Sequence, residues 1–212
     1  MRKLLRRLMI GTIAVLVTGN LAIMAAFGLS RLREPGPTVS IDGIQNVRTV
    51  DTKLWRGNAP SVEGYQGLAE LGVSTVVDLR AERDLIVPSA VLDDIGIERV
   101  LIPIRDGQTP DAAQSARFMD IMAAAEGRVF VHCGAGVGRT GVMAATYLVE
   151  AGEASSWEAL GRNLAVGPPS FEQIVYAASL EDDGDPEQPP AWVESLSRVF
   201  DGPRRIWSAL RS

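Results

Sequence analysis

Apolar and polar positions divide the 212-residue chain into three regimes. From Leu8 to Leu29, 22 consecutive residues carry no charge. At about 1.5 Å per residue, a helix of that length crosses a hydrocarbon core of roughly 30 Å. From Ser61 onward, short apolar runs alternate with stretches of helical period. Ser61 caps a helix to about Leu71, which Gly72 ends. Val73 to Leu79 reads as a buried strand, Pro88 to Ile95 as a helix, Glu98 to Pro103 as a strand, Asp111 to Ala125 as a helix and Arg128 to Val131 as a strand. Helices follow at Thr140–Ala151, Ser156–Val166 and Ser170–Leu180. Upstream, the alternation around Asp42-Gly43 and Val50 to Lys53 predicts a small hairpin-like entrance between Val39 and Arg56. Strands alternating with helices predict an α/β fold, a mostly parallel central sheet flanked by helices and preceded by one N-terminal transmembrane helix. In such sheets ligands collect beyond the carboxyl ends of the strands, where the loops at Arg80, Asp106 and Cys133 begin.

The third regime begins at Glu181. EDDGDPEQPP, residues 181–190, lacks large apolar groups and reads as a solvated tether. Beyond it Trp192, Val193, Leu196, Val199 and Phe200 share one helical face before Gly202-Pro203 breaks the helix, and Ile206, Trp207 and Leu210 continue the apolar theme. That segment either docks back on the domain or lies as an interfacial helix on anionic lipid. The expected organisation is a basic N-terminus and anchor over 1–34, a linker over 35–40, a folded domain over 41–180, the tether over 181–190 and an amphipathic helical segment over 191–212.

Charge sharpens this division. The net charge of −5 conceals six Lys/Arg against one Glu in residues 1–34, eleven against eighteen acids in 35–180, none against five in 181–190 and four against two in 191–212. An acidic body argues against a nucleic-acid partner. Arg2, Lys3, Arg6 and Arg7 precede the apolar run, whereas Arg31 and Arg33 after it are offset by Glu34. This asymmetry predicts a single-pass protein of the cell membrane with a cytoplasmic amino terminus and an extracytoplasmic domain. The competing reading is a cleaved secretory signal, for which Ala26-Phe27-Gly28 is a poor cleavage site.

The chain has one cysteine and one histidine, so it holds no intrachain disulfide, no paired-cysteine redox motif and no Cys- or His-rich zinc site. The two are neighbours, His132 and Cys133. After them come Gly134, Ala135, Gly136, Val137 and Gly138, then Arg139, Thr140 and a helix. Three glycines let backbone amides approach a ligand closely. A loop of this kind entering a helix amino terminus forms a cup of N–H groups suited to a tetrahedral oxyanion. Arg139 adds a planar fork able to grip two oxygens. At the base of that cup Cys133 would be favoured as a thiolate.

HCGAGVGRTG, residues 132–141, resembles the HCxxGxxR[ST]G signature of the cysteine-dependent protein tyrosine and dual-specificity phosphatases. LWRG at 54–57, GVSTVVDLR at 72–80 and IPIRDGQTP at 102–110 are similar to compact, atypical dual-specificity-like members. The resemblance implies the cysteine-phosphatase fold, Cys133 as nucleophile, and Arg139 with the amides of 134–139 as the oxyanion cradle. It further implies Thr140 as donor to the departing thiolate and an upstream Asp as general acid and base, with no metal or cofactor. Asp106, in a Gly/Pro-containing loop after a strand, fits the acid; Asp111, its rival, sits where a helix needs a cap. His132 should face away from the substrate, because strand neighbours point to opposite faces, and brace the loop. Arg80 and Arg105 could place an anionic substrate, and Gln173 could orient water. The expected substrate is a phosphorylated protein, carrying phosphotyrosine or either kind of phosphoresidue, or a small phosphomonoester. Phosphoinositide or inositol-phosphate hydrolysis is the alternative, set back by the absence of lysines in the loop. A membrane-tethered phosphate-binding pseudophosphatase adaptor is the reading from another class, and a rhodanese-like sulfurtransferase would need a shorter loop.

Overall fold

The computed structural model describes residues 2–30, 37–82, 87–181 and 188–209. Arg31, Arg33, Glu34, the start of the 35–40 linker, most of the acidic tether and Leu210 lie outside the described residues, as do the side chains of Ile206 and Trp207.

The apolar run lies in one helix, α1 (Arg2–Ser30), in which Met9–Ser30 is long and apolar enough to cross a membrane. The domain opens with a hairpin, β1 (Arg48–Thr49) against β2 (Leu54–Gly57). Asp51 makes its turn by accepting the N–H groups of Lys53 and Leu54, as short acidic side chains do in tight turns. Then follow α2 (Val62–Glu70), β3 (Val73–Arg80), α3 (Ser89–Asp94), β4 (Glu98–Ile104), α4 (Ala112–Ala124), β5 (Arg128–His132), α5 (Gly138–Glu150), α6 (Ser156–Val166), α7 (Phe171–Ala178) and α8 (Ala191–Ala209). The sheet order is β1-β2-β5-β3-β4, with only the β1–β2 pair antiparallel. Strand β5 is therefore central, and β2, β3 and β4 end at the same edge from which the Cys133 loop departs.

Alternation along β5 divides its side chains between two cores. Phe130 packs with Tyr65, Leu68, Val76 and Leu92 on the α2–α3 face, whereas Val129, Val131 and Cys133 pack with Leu79, Ile102, Phe118 and Met143 on the α4–α5 face. A third cluster, including Val142, Leu148, Leu160 and Tyr176, joins α5 to α6 and α7.

One expectation needs correction at the carboxyl end. Helix α8 runs through Gly202-Pro203 to Ala209, because a proline removes one backbone bond and need only bend a helix. The helix also docks: Val193, Ser197 and Phe200 are buried, the Phe171 and Phe200 rings are 5.7 Å apart, and the backbone N–H of Glu172 donates to Ser197 Oγ. Trp192 and Val199 remain exposed. Phe200 also covers Gly19 of α1, where a Cβ would stand 2.5 Å from the ring.

Candidate active site

Cys133 is 3% exposed and directly follows the central strand, at the bottom of the 134–138 turn. Gly136 takes φ +73°, and any Cβ there would collide with the backbone of Gly57. At Gly138 a Cβ would lie 2.6 Å from Gln173 Oε1. Packing thus disfavours a side chain at both positions, and the turn itself requires glycine at 136. Helix α5 starts at Gly138 with no side chain capping its first turn, which leaves its leading N–H groups to a ligand.

Arg139, the next residue, is buried, with both terminal nitrogens directed. Its Nη1 donates to the Ile104 carbonyl at 3.0 Å, and its Nη2 meets Glu82 Oε1 at 2.7 Å and Asp106 Oδ1 at 3.2 Å. Burial opposes its charge, yet Glu82, a Cys133 thiolate and Asp106 together hold its pKa above the ordinary value. Its Nε and the hydroxyl of Thr140 are buried without an acceptor or donor among the described residues. Buried polar groups normally have partners, so two orphans side by side in this loop mark where an oxyanion and a thiolate would be met.

Asp106 follows β4 on an exposed loop whose backbone is tied to α7. Ser170 Oγ donates to the Gly107 carbonyl at 2.7 Å, and Gln173 Nε2 to the Gln108 carbonyl at 2.9 Å. Because Gln173 Oε1 also accepts the Ser170 N–H, both ends of that amide are used. It holds the loop. Asp111 forms a reciprocal capping box with Gln114 at the start of α4, so its carboxylate is committed to the helix. Arg105 is exposed; Arg80 instead grips Asp78 with two nitrogens, at 3.0 and 2.8 Å, and is not offered to substrate.

His132 lies on the opposite face of β5 from Cys133, with no exposure. Its Nδ1 is 3.1 Å from the Cys133 carbonyl; a carbonyl only accepts, so Nδ1 carries the proton and donates. Burial lowers its pKa to about 4, against the raising effect of Asp78 and that carbonyl. The ring is therefore neutral at pH 7. Asp78, its register partner on β3, places Oδ2 3.9 Å from Nε2. Although burial opposes its charge, the Arg80 hydrogen bonds hold the Asp78 carboxyl below its usual range.

Several supporting residues escaped the sequence reading. Arg56, 4% exposed, sends Nη2 to the carbonyls of Gly136 and Val137 and to Asn163 Oδ1. By holding those carbonyls it turns the loop's N–H groups the other way. Asn163 approaches so closely that a side chain at Gly141 would overlap it, and Asn46, with φ 57°, donates to the Ala135 carbonyl. Glu82 and Asp78 were equally unforeseen. A lone acid in the apolar run of β3 was a usable signal for Asp78; nothing local marked Asn163.

Beyond Asp106 opens a cleft of about 680 Å³. Glu82, Asp106, Glu172 and Asp201 line it against Arg105 and Arg198, so α8 supplies part of its wall.

Residues 34–178 match the family model described as DSP-PTPase phosphatase fused to NAD+ Kinase. The human dual specificity protein phosphatase CDC14C is 37% identical over 98 residues, which cover 43% of this chain and 22% of that protein. The chain thus spans about a fifth of that relative's length. The structure of P. aeruginosa TpbA in complex with pTyr superposes with a TM-score of 0.55 at 24% identity, covering 79% of this chain and 98% of that one. PTPMT1 in complex with PI(5)P gives a TM-score of 0.55 at 21% identity over 62% of this chain and 92% of that one. Both share the fold.

Proposed function

Since the chain belongs to this family of dual-specificity-type phosphatase domains and is a cysteine-based phosphatase, we propose that it hydrolyses phosphotyrosine, alone or with phosphoserine and phosphothreonine, on proteins. The observation that carries the mechanism is the pair of orphaned buried groups, Arg139 Nε and Thr140 Oγ1, in the first turn of α5 at the end of the loop that begins at Cys133. In this reading the Cys133 thiolate attacks phosphorus and forms the S–P bond as the bond to the leaving oxygen breaks. Asp106 gives that oxygen a proton. Loop amides of Gly134 to Arg139 and the Arg139 guanidinium hold the charge on the three remaining oxygens. Asp106, now ionised, takes a proton from water as it attacks phosphorus, and the thiolate departs towards the Thr140 hydroxyl. His132 stays neutral and braces the turn through the Cys133 carbonyl.

The cleft favours a protein substrate over a polyphosphorylated headgroup. Arg105 and Arg198 share it with four carboxylates, two of which meet Arg139, and residues 134–138 carry no charge; a second phosphate would find no cluster of cations. Initial rates on matched phosphotyrosine and phosphoserine peptides and on phosphatidylinositol phosphates test this choice. The peptides should be turned over at least tenfold faster, and a preference for a phosphoinositide would reverse it. The same proposal takes residues 41–180 as the catalytic domain, 1–34 as a membrane anchor with the domain outside the cytoplasm, and 191–212 as an accessory helical segment.

A further inference from the structure

A second cavity, of about 470 Å³, shares no lining residue with the cleft at Asp106. It lies between the β1–β2 hairpin, α5 and α6, and Arg56 stands on its wall. That guanidinium uses one nitrogen, Nη2, for three acceptors, while its Nε is buried with no acceptor among the described residues. Asn163 Nδ2, beside it and also buried, has no acceptor either. Arg56 is buried at the back of the loop that follows Cys133, where burial and Arg48 oppose its charge and a Cys133 thiolate favours it. The remaining lining repeats the sign. Arg48 and Arg162 join Arg56, and the carboxylate of Glu158 is already held by Arg162 at 2.7 Å. Ala145 and Leu148 of α5 make the rest of the wall apolar.

We infer that this cavity is a binding site for a small anion carrying a compact apolar body, with the anionic group at Arg56 and the apolar body against Ala145 and Leu148. A single ring and its charged group fit within a space of this size. The site is distinct from the phosphate loop, and its ligand reaches the loop only through the guanidinium that carries the Gly136 and Val137 carbonyls.

Benzenesulfonate is a suitable probe: it has one negative charge and one ring, and no phosphate ester to hydrolyse. The full chain is reconstituted in nanodiscs of zwitterionic lipid, its active site is saturated with orthovanadate, and binding is followed by calorimetry. One saturable site per chain is expected. Benzyl alcohol, which lacks the charge, and inorganic sulfate, which lacks the ring, should each bind at least tenfold more weakly. Gly161 lines the cavity and a Cβ there would have open space around it, so Gly161→Trp should fill the cavity and weaken benzenesulfonate at least tenfold while leaving aryl phosphate turnover within twofold. Arg162→Glu, at an exposed position, should weaken binding to a similar extent. The inference is overturned by absence of a saturable site on the vanadate-blocked protein, by undiminished affinity in these variants, or by benzyl alcohol binding as tightly as benzenesulfonate.

Discussion

His132 is sealed inside the sheet, so the cost of burying a charge decides its protonation. The folded imidazole takes a proton near pH 4, and the unfolded one near 6.5. Between those values the unfolded chain binds more protons, so the stability contribution is complete above about pH 6.5 and falls as pH drops towards 4. From pH 7.5 to 5 the loss is about 2 kcal/mol. Urea unfolding followed by tryptophan fluorescence at the two pH values measures it, and His132→Asn should show a visibly smaller change. Equal stability of the natural chain at both values would contradict a neutral buried ring. At the acid, Asp106→Ala should lower kcat about 10²- to 10⁴-fold on a substrate with a poorly stabilised leaving alcohol, and far less on p-nitrophenyl phosphate, whose leaving group departs without a proton. Equal losses on both substrates would remove Asp106 from the role of acid. Residues that would touch the phosphoryl group were legible because they are contiguous in sequence. Those that hold them were not: Arg56 reaches Gly136 and Asn163, and Arg139 reaches Glu82, across 80, 107 and 57 positions of chain. Only the folded sheet brings these partners together.

Among the elements, α7 is the one whose job changes most once contacts are known. Its amino-terminal Ser170 caps the helix, accepting the Gln173 N–H, and tethers the Gly107 carbonyl of the Asp106 loop. Ser170→Ala should therefore cost about 1 kcal/mol of stability through the cap. It should also reduce kcat on poor leaving groups while sparing p-nitrophenyl phosphate, a split that loss of stability alone would not give. Helix α8 contributes the buried Val193 and Phe200. Removing residues 191–212 should lower stability by about 3 kcal/mol or more, from the loss of those two side chains to water, and a truncated chain as stable as the whole would mean that the helix does not dock. Strands and helices from α2 to α7 were readable to within a few residues, because serine and aspartate caps, Gly72 and the apolar runs all act locally. The course of α8 past Pro203 was not, since a single proline does not reveal whether the surrounding helix bends or ends.

At the scale of the whole molecule, the apolar α1 and the acidic body make competing demands. Phe200 covers Gly19, yet Gly19 lies in the middle of Met9–Ser30, the stretch long enough to span a bilayer. Insertion of that stretch would withdraw Gly19 from the ring, leaving α8 to rest on α7 through Phe171 and Ser197. Removing residues 1–30 should thus free the protein from the membrane fraction with its unfolding midpoint and its aryl phosphate turnover preserved; a marked loss of stability would show instead that α1 is part of the folded body. The central claim, that phosphate leaves its ester by way of Cys133, is tested most directly by rapid acid quench of the full chain turning over a ³²P-labelled phosphotyrosine peptide. The account predicts label trapped on the peptide that contains Cys133, approaching one phosphate per chain when breakdown limits turnover, and none in Cys133→Ser; label on another residue, or turnover by Cys133→Ser at the natural rate, would contradict it.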